Sequence, residues 1–153
     1  MKIMMTRNSY KQWLEYRDVV ETFQQAIHFS LGVVRTKPTD VVPHIGIQEK
    51  EICDIASLSA DLNEFTLCKF GKSINRLKCT EIDSSFLDEY KIFLASKSVN
   101  EQGNRTYERF ITIHQVFMMA DLYNIPDLNL DMFEKWMSIN FAEFDKEHNG
   151  NNI

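Results

Sequence analysis

Two strongly periodic apolar stretches lie between Glu81 and Ile125, joined by a short polar link that contains Gly103. In the first, Phe86, Leu87, Tyr90, Phe93 and Leu94 recur at i, i+1, i+4, i+7 and i+8, which is one face of an α-helix. Asp83 or Ser84 can cap its start. Asp88 and Glu89 then fall where the helix dipole favours negative charge, and Lys97 falls where it favours positive charge. The second stretch, from about Asn104 to Tyr123, carries Tyr107, Phe110, Ile111, Phe117 and Met118, with Ile113, Val116 and Ala120 beside them. A helix apolar nearly all round belongs at the centre of a domain.

The flanks extend the same pattern. Trp13, Tyr16, Val20, Phe23, Ile27, Leu31 and Val34 predict a long first helix over residues 8–34. Pro38 and Pro43 mark residues 35–48 as a linker. Ile52, Ile55, Leu58, Leu62 and Phe65 predict a second helix from Glu49 to about Phe65, which Ser57 and Ser59 could divide. Residues 66–79 read as short helical turns around Gly71, with a small hairpin as the alternative. Pro126 stops the fourth helix. A fifth starts at Asp127 or Asn129 and presents Leu130, Phe133, Trp136, Met137, Phe141 and Phe144 inward.

The fold class is therefore all-α: a compact bundle of about five helices, with the fourth central and the packing partly orthogonal. Only five Gly and three Pro argue against a turn-rich β architecture. The chain of 153 residues reads as one domain over 1–144, with a helical core over 49–144 and a mobile tail over 145–153 that has nothing to bury.

The formal charge of −5 disfavours a dedicated non-specific nucleic-acid binder, which needs excess Lys and Arg. Cys53, Cys68 and Cys79 are an odd count without a CxxC pair, so reduced thiols and a cytoplasmic location are expected. No run approaches the ~18 apolar residues of a membrane span. His28, His44 and His148 lack zinc-like spacing, and neither a metal nor a cofactor is expected. Gly71-Lys72-Ser73 resembles the end of a phosphate loop, but Thr66 stands where that loop needs its first Gly.

Two features carry chemistry. Between Phe65 and Thr80 no acidic residue occurs, while Lys69, Lys72, Arg76 and Lys78 form a local positive patch suited to phosphate or an acidic partner. Arg109 and His114 have an R-x4-H spacing. This resembles the catalytic pair of HEPN-type ribonucleases, which implies a His as general acid/base and an Arg steadying phosphate. His114 also shares an apolar face with Tyr107, Phe110 and Phe117, the setting of a hydrogen-bonded core histidine.

A wider likeness covers residues 51–126. Leu62-Asn63-Glu64-Phe65 leads through the basic link to Glu81-Ile82-Asp83. Then follow Phe86-Leu87-Asp88-Glu89-Tyr90, Phe93-Leu94, Asn104-Arg105-Thr106-Tyr107 and Tyr123-Asn124-Ile125-Pro126. This order resembles the core-binding, SAM-like helical domain of tyrosine recombinases and integrases. The resemblance implies a DNA clamp and nominates Lys72, Arg76, Lys78, Arg105 and Arg109 as phosphate contacts. The recombinase catalytic domain has no counterpart in this chain.

The leading functional expectation is a non-enzymatic interaction protein, a small regulator or inhibitor with an acidic, aromatic-bearing surface for a protein partner. Exposed aromatics from the first or last helix are expected at that contact. A DNA-binding accessory module is the alternative, with Arg105 added to the basic patch, and an Arg109/His114 ribonuclease is the third reading. The first helix is a candidate homodimer element, and no membrane partner is expected.

Overall fold

The computed structural model describes residues 15–36, 45–97 and 106–149. Six α-helices run through them: α1 Phe23–Thr36, α2 Ile45–Phe70, α3 Ser84–Lys97, α4 Thr106–Leu122, α5 Leu130–Asn140 and α6 Ala142–Asn149. Short 3-10 turns lie at Arg17–Val19, Ile74–Arg76 and Cys79–Glu81, and there is no β-strand among the described residues. The protein is an all-α bundle.

The predicted first helix is interrupted at Val20–Thr22, and its residues 8–14 lie outside the described residues. Thr22 Oγ1 accepts from the Gln25 N–H at 3.2 Å. Gln25 Oε1 accepts in return from the N–H groups of Glu21 at 2.8 Å and Thr22 at 3.0 Å. This reciprocal cap starts α1 afresh. Two distant backbone bonds hold the break: Phe23 N–H to Leu77 O and Cys79 N–H to Glu21 O.

Helix α2 is longer than predicted at both ends, taking in residues 45–48 of the expected linker and 66–70 of the ambiguous stretch. It passes Ser57 and Ser59 unbroken; Ser59 Oγ donates to Gln24 Oε1 on α1 at 2.6 Å. Gly71 ends it with φ 69°, a left-handed conformation that glycine adopts without a Cβ penalty. Residues 72–81 then form 3-10 turns instead of a hairpin.

Asp83 caps α3, its Oδ1 accepting from the Phe86 N–H at 2.9 Å. Helix α4 ends before Pro126. Asn124 takes φ 62°, and the Ile125 N–H returns to Ala120 O at 2.8 Å. Asn129 caps α5 through the Met132 N–H at 3.0 Å. The predicted fifth helix is two helices, because Phe141 is extended at φ −134° and ψ 112°. The Asn140 amide returns to Trp136 O at that break. Helix α6 then runs through residues 145–149 of the expected tail, with Phe144 buried beneath it; residues 150–153 lie outside the described residues.

Helix α4 is the centre, packed on α1, α2, α3 and α5. Phe110, Ile113, Val116, Phe117 and Ala120 are buried on it. Rings tie the layers together. Phe117 lies 6.2 Å from Phe23 on α1 and stacks on Phe133 of α5 at 4.6 Å. Phe110 meets Trp136 at 4.8 Å and Tyr90 of α3 at 5.5 Å, and Tyr90 meets Phe65 of α2 at 5.1 Å.

Candidate functional site

Two of the four cations at the end of α2 and in the turns after it are neutralised. Lys69 pairs with Glu89 at 3.1 Å, and Lys72 pairs with Glu81 at 2.7 Å. The Glu81 carboxylate also accepts from the Lys78 N–H at 2.9 Å. The Lys72 hydrogen bond, then the Lys78 backbone bond, hold the Glu81 carboxyl below its ordinary range. Arg76 and Lys78 are exposed without an ion pair among the described residues. Arg105 lies outside the described residues. Sequence distance conceals this neutralisation, since Glu81 and Glu89 come from the turn and helix that follow the patch.

Arg109 and His114 are not brought together. Five residues place them about 140° apart around α4. Arg109 Nε faces Asp61 of α2 at 3.8 Å. His114 Nε2 lies 2.8 Å from Glu134 of α5, with its ring stacked on Phe133 and edge-on to Phe144. His114 is buried, as its apolar surroundings in the sequence predicted.

Asp61 gathers a polar cluster between α2, α3 and α4. The Tyr90 hydroxyl donates to its Oδ2 at 2.5 Å. Lys97 Nζ reaches its Oδ1 at 3.5 Å and Glu64 at 2.6 Å. Burial, then the negative Asp61, push Tyr90 ionisation far upward. The Glu64 hydrogen bond raises Lys97. Each polar group here faces another of the same chain, so the cluster fastens three helices.

The thiols do not converge on a site: Cys53 and Cys68 are exposed, and Cys79 is buried. Burial, then Asp127, push the Cys79 thiol up to about 12. No group of three or more metal-ligating side chains occurs among the described residues. Nor is any helix among them long and apolar enough to cross a membrane.

The outer arc of α4 is different. At about 100° per residue, Ile111, Gln115, Met118 and Leu122 fall within about 60° of one another. Sequence periodicity placed Met118 inward, but it is 42% exposed, and Leu122 is 69% exposed. Among the described residues, α1, α2, α3 and α5 pack on the other sides of α4; on this strip Met118 and Leu122 stay exposed, while Ile111 packs against the core and Gln115 is half-buried. Glu108 and Asp121 flank the strip near its two ends, both exposed. Glu143 and Glu147 of α6 add negative charge beside Tyr107 at the same end as Glu108; burial first, then these carboxylates, raise the Tyr107 pKa. None of these four acids has an ion pair among the described residues. Arg109, the only Lys or Arg in α4, is turned to Asp61. Lys146 is the one cation on α6.

Among the described residues, the aromatics of the predicted first and last helices are mostly inside; Tyr16 is half-buried, and Tyr10 and Trp13 lie outside the described residues. Phe23, Phe29, Phe133, Trp136, Phe141 and Phe144 are all buried. Among the described residues, Phe70 is the one aromatic among the exposed large apolar side chains, and its ring rests on Phe65 and Phe86. The signal for the α4 arc was present in the sequence as Met118 and Leu122 at i, i+4, with Glu108 one turn before Ile111 and Asp121 beside Leu122. An apolar core position looks the same until the neighbours are known.

Comparison with known proteins returns no match, whether to a family model, a curated sequence or a solved structure.

Proposed function

We propose that this protein is a non-enzymatic interaction module that binds another protein through the outer arc of α4. The observation that carries this reading is the exposure of Met118 and Leu122 on the most enclosed helix of the bundle. Single exposed apolar residues such as Ile92 and Ile139 are ordinary on a protein surface. An aligned set with half-buried Ile111 beside it offers a partner a continuous strip to bury. The acids around the strip, which have no ion pair among the described residues, oppose a nucleic-acid backbone and favour a basic protein surface.

The test is site-directed photocrosslinking. A photoreactive residue at Leu122 is compared with one at Ile139 on α5, and captured proteins are reconstituted with the purified chain. Capture from Leu122 alone, with binding of the purified partner lost in Met118→Glu, supports the reading. Equal capture from both positions, or binding indifferent to Met118→Glu, removes it.

A further inference from the structure

We infer that the partner segment is a basic amphipathic helix whose cations sit at its two ends and whose middle is apolar. The inference rests on the α4 arc being the binding face and specifies what that face takes.

Three observations define the complement. Ile111 with Gln115, and Met118 with Leu122, are each an i, i+4 ridge, the relief one helix offers to the grooves of another. An apolar helix face reads such relief through residues at three- and four-residue steps. On α4 itself the exposed charge beside the strip stands at its ends, and Glu134 of α5, which lies beside its middle, is engaged by His114 Nε2 at 2.8 Å. Glu108, Glu143 and Glu147 stand at one end and Asp121 at the other, while Gln115 occupies the middle without charge. Glu108 and Asp121 are thirteen positions apart, about 20 Å along the helix. A partner helix therefore meets acids only if its cations are about 20 Å apart, with Leu-like residues between them. Cations placed centrally would lie over Met118 and Gln115, where they would lose water and meet Glu134, whose carboxylate already faces His114.

The test uses the full chain and three synthetic helical peptides of about 16 residues, or ~24 Å. All share one apolar face. The first carries Lys and Arg at both ends, the second carries them centrally, and the third replaces them with Gln. Fluorescence anisotropy at low salt should show the first binding at least tenfold tighter than the second. That advantage should shrink as salt rises, because exposed charges are screened. It should also vanish in a Glu108→Gln, Asp121→Asn, Glu143→Gln, Glu147→Gln variant, whose circular dichroism and melt confirm folding. Equal binding of the first two peptides overturns the inference, as does an advantage that survives in the quadruple variant. Sedimentation showing the arc buried between two copies of this chain overturns it as well. If no peptide binds while Leu122 still captures and reconstitutes with a partner, the binding face stands and the basic-helix inference alone fails.

Discussion

Tyr90 donates its phenolic hydrogen to Asp61 across 2.5 Å, fastening α3 to α2 at the edge of the aromatic core. The ring is fully buried, and the same carboxylate faces Lys97 and Arg109. Tyr90→Phe keeps the ring and removes the donor, and should cost about 1.5–3 kcal/mol, the range for a hydrogen bond to a charged group. Asp61→Ala should cost more, about 3 kcal/mol, because it leaves the buried Tyr90 hydroxyl and Arg109 without their carboxylate, while Lys97 keeps Glu64. Urea denaturation of both variants checks the order. A smaller loss in Asp61→Ala would show that Asp61 is not the centre of the cluster.

Phe117 touches rings from two other helices, Phe23 and Phe133, with no exposed surface of its own. Phe117→Ala should destabilise by about 3–5 kcal/mol through lost burial and an unfilled cavity. A melting curve unchanged from the parent would take α4 out of the core.

Arg109 and His114 answer to different partners, Asp61 and Glu134. Stability losses in Arg109→Ala and His114→Ala should therefore add, with a coupling below about 0.5 kcal/mol. No RNA cleavage is expected from the parent. A catalytic pair would behave otherwise: cleavage by the parent, abolished by either change in a folded variant, would restore the ribonuclease reading.

Glu81 links pH to the turns after α2. Its folded pKa is depressed, so its contribution to stability is complete above the ordinary Glu value of 4.5. That contribution fades as pH falls through the lower folded value, since protonation removes the charge that Lys72 holds. Glu81→Gln should lower stability at neutral pH and flatten the acid side of the stability curve. Chemical denaturation between pH 7 and about pH 3 reads both effects. An unaltered acid slope in the variant would show that Glu81 does not carry this linkage.

The recombinase-like reading needs Lys72, Arg76 and Lys78 to contact phosphate. With Lys72 paired to Glu81, we expect no specific mobility shift with duplex DNA at about 50 mM salt. A salt-sensitive shift in the parent, abolished when all three are changed to Glu, would put DNA binding first. Each lost contact would then lower the salt slope by about one unit.

Helical class, helix count within one or two, and the central place of α4 were legible from local signals. Apolar spacing such as Phe86, Leu87, Tyr90, Phe93 and Leu94 reports a buried face wherever the partner lies. Asp83 and Asn129 were legible as caps because their acceptors serve backbone a few residues away. Thr22-x-x-Gln25 was equally local, but the apolar stripe running across it hid the break.

Tertiary structure alone decided where charges and exposed faces went. Glu81 and Glu89 turn back onto Lys72 and Lys69, so half of a patch that is basic in sequence is paired in space. Arg109 and His114, neighbours on paper, point to Asp61 and Glu134 on different helices. Met118 and Leu122 have the same local pattern as core residues, and they are exposed because, among the described residues, the helices packed on α4 lie on its other sides. Periodicity reports that a side chain suits burial; which side chains are buried depends on the arrangement of helices remote in sequence.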